Sequence, residues 1–247
     1  MPSHRPPGRA AGLRGRQTRE LEQRKRILIV CEGKCTEPNY FRSLIHSHKL
    51  GTVKVADGST PDITIVPAAG VALSLVEFAV SQQPHKKSEQ FEEIWCVFDL
   101  DENPPDSFDN AIDKAARTSC LRAAWTNQAF ELWYLLHFEY IDTSPARDHG
   151  RKRGGKVRDY YTDRLDELVR EHLGRKQYDK NDPRLFDDLG PARLRVAIKR
   201  ANQLGDKWQA NEPYHKRCPA TTVHLLVQRL LSLAPENIDQ PDTRTNH

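Results

Sequence analysis

Acidic residues stand where two short apolar runs end, and their types and spacing suit a site that handles phosphate through a hard cation. The run 27–31 (ILIVC) leads straight into Glu32 and Gly33, and 94–98 (IWCVF) leads into Asp99-Leu100-Asp101-Glu102. In extended chain, residues i and i+2 face the same side about 7 Å apart. Asp99 and Asp101 are thus placed to hold one cation together, directly or through its waters. Mg²⁺, or Mn²⁺ in its place, takes a few carboxylates, keeps some water and accepts phosphate oxygens. Glu32 would complete that site or serve as general base for water, and Gly33 leaves room for a phosphate beside it. Glu131 lies inside the apolar run FELWYLLHF, where a carboxylate is costly unless paired or liganding. It reads either as a further metal-site acid or as the buried partner of an arginine such as Arg122. A second metal, through Glu131 or Glu102, would fit two-ion hydrolysis. Acids after strands are also common turn residues, so spacing alone leaves the chemistry open.

These residues need a scaffold that brings strand ends together. The β-branched run 27–31 reads as a buried parallel strand. Thr36 then caps a helix with Pro38 in its first turn and Tyr40, Phe41, Leu44 and Ile45 on its apolar face. A second strand spans 62–67 and a second helix 71–82. The third strand, 94–98, is followed by a helix over 107–117, a short strand near 121–125 and a helix over 128–138. Four alternations of strand and helix argue for an open, mainly parallel α/β sheet with helices on both faces. In such sheets ligands sit outside the carboxyl ends of the strands, which is where Glu32, Asp99 and Asp101 fall. Helical periodicity resumes at 158–173, 191–209 and 220–233, a C-terminal helical extension. The expected layout is a basic arm over 1–25, the α/β domain over 26–143, the helical region over 144–235 and a frayed tail over 236–247.

Several other residues carry two readings. Glu37 is either an acid supporting the site or a first-turn acid favoured by its helix dipole. His137 is a site residue or a core histidine, and Asn127 a helix cap or a site-lining amide. Arg151, Lys152, Arg153 and Lys156 form a solvated basic loop or a contact to a nucleic-acid backbone, and Lys216 and Arg217 pose the same choice. Cys31 and Cys35 have metal-like spacing, but no second pair completes a zinc site.

Composition narrows the classes. Of 247 residues, 37% are hydrophobic and 29% charged, with a mean hydropathy of −0.73. No stretch approaches the roughly 18 apolar residues of a membrane helix, so no membrane partner is expected. Five cysteines, too sparse for a disulfide scaffold, read as free thiols in a reducing cytoplasm. The net charge of +4 is uneven. Residues 1–26 hold eight Arg or Lys against Glu20 and Glu22, so the rest of the chain sums to about −2. The arm reads as disordered in isolation and as a non-specific phosphate contact.

The run ILIVCEGKCTEPNYFRSL closely resembles the opening of RloB-like proteins, in which a strand leads to EGxxTE and then PxYF. IWCVFDLDE, TNQAFELWYLLHF and NEPYHKRCPATTVHLLVQRL resemble that family's later blocks, in order, so the resemblance spans about residues 26–233. Lys34-Cys35 departs from the pattern, and Cys35 receives no role. The resemblance implies a Toprim/Rossmann-like fold akin to topoisomerases, primases and OLD-family nucleases. It assigns Glu32 as acid/base or metal ligand and Asp99 and Asp101 as Mg²⁺ ligands. It further implies a phage-defence setting with an ABC- or AAA-type ATPase partner. The expectation is a metal-dependent nuclease on DNA or RNA. Its rivals are nucleotidyl transfer, for which no further domain is evident, and a non-catalytic adaptor or nucleotide-sensing subunit.

Overall fold

The computed structural model describes residues 26–50, 63–68, 70–101, 103–143, 151–153, 156–158 and 160–233. The basic arm, the frayed tail and Glu102 lie outside the described residues, as do the side chains of Arg151, Lys152, Arg153 and Lys156. Strands β1 (Ile27–Cys31), β2 (Ile63–Pro67), β3 (Glu93–Asp99) and β4 (Leu121–Asn127) alternate with helices α1 (Thr36–Ser47), α2 (Ala72–Ser81) and α3 (Pro105–Arg117). Helix α4 (Glu131–Leu135) follows. An antiparallel hairpin comes next, β5 (Arg151–Arg153) and β6 (Lys156–Arg158), then α5 (Tyr160–Leu173) and α6 (Leu185–Gly205). Strand β7 (Ala220–Thr221) and helix α7 (Val223–Leu231) complete the described elements. The main sheet has the order β2-β1-β3-β4-β7, with β7 alone antiparallel. It is the mainly parallel sheet flanked by helices, with a C-terminal helical extension, that the alternation predicts. Among the described residues no helix is long and apolar enough to cross a membrane.

The strands alternate sides, as a pleat requires. Ile27, Ile29, Trp95 and Val97 enter one core with α1, α4 and the C-terminal helices. Leu28, Val30, Ile94, Cys96 and Phe98 enter the other, beneath α2 and α3. The first core is built around Tyr40, whose ring meets Phe41, Phe130, Trp133, Tyr134 and Phe186 edge-on at 4.9 to 6.0 Å. Edge-to-face pairs add to area burial, so helices from both ends of the chain are fastened to one ring. Helix α6 bends where Gly190 takes φ 68°, ψ 167°, a left-handed conformation open to glycine, and Pro191 restarts the helix.

Two local expectations are corrected. Thr36 is the first helical residue and not the cap; the cap position is Cys35, which makes no side-chain capping bond. Helix α4 begins at Glu131 and not at 128, because the backbone before it serves other partners: Gln128 O accepts from Asp101 N at 3.0 Å, and Phe130 N donates to the Asp99 side chain at 3.2 Å.

Candidate functional site

The chain leaves β1 for β2 on one side and returns to β3 on the other, so the strand order reverses between β1 and β3. Ligand crevices of open α/β sheets form at such a point, outside the carboxyl ends of the strands. Glu32 is the first residue beyond β1, its N donating to Val97 O at 2.9 Å. Its carboxylate accepts from Asn103 Nδ2 at 2.9 Å and from Asp99 N at 3.3 Å. Asn103 also donates to Asp99 O at 2.7 Å and accepts from Ala72 N, the start of α2, at 2.6 Å. One buried amide thus ties both acidic strand ends to the first turn of a helix.

Around Asp99 the carboxylates crowd. Burial lifts its carboxyl well above the usual range, and Glu37, Glu32, Asp101 and Glu131 add repulsion in that order. Glu37 is buried and turned back, with Oε1 accepting from Gly33 N at 3.2 Å. Burial pushes its carboxyl from 4.5 up to about 7; backbone hydrogen bonds oppose the shift, while Glu131 and Glu32 reinforce it. The space beside Gly33 therefore belongs to Glu37 rather than to a phosphate, since a Cβ at position 33 would stand 2.0 Å from Glu37 Oε2. Glu131 accepts from the Tyr178 hydroxyl at 2.9 Å. Arg122 sits at the opposite end of β4, some five residues or roughly 16 Å away along the strand. It donates instead to the carbonyls of Ser119 and Leu121. Asp101 is exposed, its backbone anchored to Gln128.

The structure thus brings Glu32, Asp99, Asp101 and Glu131 to one edge and adds Glu37 to them. Asn103 and Tyr178 were missed. Asn103 carries a weak signal, an amide just after the acidic turn. Tyr178 carries none, since it reaches Glu131 across 47 residues of sequence.

An all-oxygen, mutually repelling donor set is the chemistry a hard divalent cation matches. The carboxylates are not gathered into a ready cage, however. Among the described residues no group of three or more His, Cys, Asp or Glu stands in metal-holding geometry. Glu32, Asp99, Glu37 and Glu131 each face a protein donor. A cation would share those oxygens with Asn103, Phe130 N, Gly33 N and Tyr178.

The remaining candidates fall elsewhere. Asn127 ends β4 and caps no helix; its Nδ2 donates to Tyr214 O at 3.3 Å and His215 O at 2.9 Å. His137 is a core residue. Its Nδ1 donates to Trp133 O at 2.9 Å, and burial lowers its pKa from 6.5 to about 4. Arg217 is spent on the carbonyls of Ala210 and Glu212, while Lys216 is exposed. Cys31 and Cys35 are free thiols.

A mainly parallel sheet flanked by helices, with carboxylates at the carboxyl ends of its central strands, defines a Toprim/Rossmann-type α/β protein. The family profile described as RloB-like protein matches residues 27–230, and the chain belongs to that family. No curated protein and no solved structure matches it.

Proposed function

We propose that the chain is a metal-dependent phosphodiester hydrolase, a nuclease of Toprim type acting on DNA or RNA. The observation that carries this reading is the placing of Glu32 and Asp99 at adjacent strand ends of the switch point, with Glu37, Asp101 and Glu131 near enough to repel Asp99. A structural turn does not need acids crowded against their own repulsion. Asp99 and Asp101 would hold Mg²⁺ or Mn²⁺, with Glu131 as a further acid. Held by these residues, such an ion would supply Lewis-acid polarisation of a non-bridging phosphate oxygen and offset the charge developing there. Glu32, oriented by Asn103, takes the proton of the attacking water. Arg151, Lys152, Arg153 and Lys156, on the β5–β6 hairpin, supply contacts to the backbone phosphates without reading bases. Family membership supports a phage-defence role beside an ABC- or AAA-type ATPase, and kinship with OLD-family nucleases belongs to the same proposal.

A second reading is a non-catalytic adaptor or nucleotide-sensing subunit. It is favoured by the carboxylates' engagement with protein donors and by the lack of a metal-ready group among the described residues. The deciding experiment offers supercoiled plasmid, linear duplex, single-stranded DNA and total RNA with Mg²⁺ or Mn²⁺, alone and with an ATPase partner. Cutting that EDTA and the Asp99→Ala/Asp101→Ala variant both abolish is expected. A folded protein that cuts nothing in any arm favours the adaptor.

A further inference from the structure

The segment between α6 and β7 carries a second constellation. Strand β7 runs antiparallel to β4, pairing Ala220 with Asn127 and Thr221 with Thr126. The chain leading into it therefore lies at the carboxyl edge of the sheet, the edge that carries Glu32 and Asp99. In that lead, Asp109 of α3 accepts twice from one residue: from His215 N at 2.8 Å and from its ring Nδ1 at 2.7 Å. Asn127 grips the carbonyls of Tyr214 and His215. The Tyr214 ring meets Trp125 edge-on at 5.8 Å, and the Arg217 guanidinium lies 4.4 Å from its centroid. The imidazole is thus fixed by α3, by the end of β4 and by its own segment.

A carboxylate oxygen only accepts, so Nδ1 carries the proton and Nε2 is the atom left to meet a ligand. Among the described residues Nε2 has no hydrogen bond, and the side chain is 24% exposed. A plain surface ion pair needs neither the second bond to the backbone amide nor the grip of Asn127. The location is also specific. Asp99 pairs with Thr126 across β3 and β4, and Asp101 N donates to Gln128 O. Asn127, which holds His215, lies between those two partners. Asn127 shares the sheet face of Trp125 and α3, while Asp99 shares that of Val97 and α1, so the imidazole stands at the same carboxyl edge over the opposite face of the sheet. A strand laid across that edge would meet it at a neighbouring nucleotide, not at the reacting phosphate.

We propose that His215, oriented by Asp109, binds the backbone phosphate next to the one that reacts, Nε2 donating to it while Nδ1 donates to Asp109. Asp109 is its positioning residue, and exposed Lys216 adds positive charge beside it. The inference rests on the reading of the acidic edge as a nucleic-acid site.

The test uses the full chain with Asp99→Ala, so that a bound strand is not cut. The ring resonances of His215 are followed as short single-stranded DNA and RNA oligonucleotides are added. A shift of the ring signals is expected, together with roughly tenfold weaker binding in His215→Gln, the scale of one hydrogen bond to a charged group. Asp109→Asn is the second variant. It keeps an acceptor for the ring but removes the anion beside it, and should weaken binding while the fold persists. Ring signals that ignore both oligonucleotides overturn the proposal. So does a His215→Gln enzyme that cleaves with unchanged KM, in which case the hydrolase reading stands. Ring shifts in a wild-type protein that cleaves nothing support the phosphate contact and remove the hydrolysis.

Discussion

Two regions share the helices α1 and α4 and use them in opposite ways. On one side Tyr40 and Phe41 of α1 and Trp133 and Tyr134 of α4 form an aromatic cluster with Phe130 and Phe186. At the N-terminal ends of the same helices, Glu37 and Glu131 join Glu32, Asp99 and Asp101. The cluster gains free energy from every ring it buries. The acids lose free energy for every charge they keep together away from water. Residues that work against stability persist only where the surroundings over-determine them, a pattern of functional sites. The aromatic region is what lets the acidic edge exist.

The largest effect should come from breaking the stabilising side. Tyr40→Ala removes a fully buried ring that six other rings touch, His137 included. It should cost about 3 to 5 kcal/mol, the range for large aromatic truncations, read as a fall in the denaturant midpoint. A loss under about 1 kcal/mol would mean that the cluster is not the anchor. The opposite sign is expected at Glu37→Gln. The folded carboxyl is raised from 4.5 to about 7, so the folded state holds the proton more tightly than the unfolded one. Its contribution is fully present below pH 4.5 and is lost as pH rises through 7. The interval, at about 1.4 kcal/mol per pH unit, gives an upper bound of roughly 3 kcal/mol. Glu37→Gln should therefore unfold at higher denaturant than wild type at pH 8 and at the same denaturant at pH 4. Added Mg²⁺ should narrow the gap by stabilising the wild type more. Equal midpoints at pH 8 without metal would show that the acids do not strain the fold.

How far the sequence exposes these two regions follows from range. Glu32 and Asp99 were legible because a strand and the acid that ends it are neighbours in the chain. So was the alternation that makes the sheet parallel. Asn103 was not, because its value lies in three bonds, to Glu32 just beyond β1, to Asp99 of β3 and to Ala72 of α2. Tyr178 arrives from 47 residues further along the chain. Strand β7 has two residues, too few for any period, so 220–221 read as the start of the helix that begins at Val223; its strand character comes from pairing with β4. The hairpin β5–β6 was readable in principle. In the sequence, Gly154-Gly155 between two short basic runs is a two-residue turn signal, outweighed by the charge that makes the segment read as a solvated basic loop.

The cluster also has its own titration, of opposite slope. Burial holds His137 at about 4, against 6.5 in an exposed chain, so the unfolded state takes up the proton first. Its stabilising contribution is complete above pH 6.5 and is lost as pH falls toward 4. His137→Gln should flatten that acid limb by at most about 3 kcal/mol, leaving a smaller slope from His224, held near 4 for the same reason. The measurement is the difference in unfolding free energy between wild type and variant at several pH values. A difference that does not change between pH 4 and 7 would falsify the neutral, buried assignment. Its window, 4 to 6.5, overlaps that of Glu37, 4.5 to 7, so the two opposite slopes largely cancel in the wild type and each variant uncovers the other's slope.

The smallest effect sharpens the comparison at its seam. Tyr178 lies in both regions: its ring contacts Tyr134 at 6.1 Å, and its hydroxyl donates to Glu131. Tyr178→Phe keeps the ring and removes the donor. Its cost should be about 1 to 2 kcal/mol, the value of one hydrogen bond to a charged group, and most of it should vanish in Glu131→Gln, where no charge waits for the proton. A double-mutant cycle reads this directly. If Glu131 serves a cation, Tyr178→Phe should also tighten Mg²⁺ binding, since the carboxylate no longer divides its oxygens between ion and hydroxyl. Weaker Mg²⁺ binding would mean instead that Tyr178 orients Glu131 for the ion, making the distant tyrosine part of the site rather than a restraint on it.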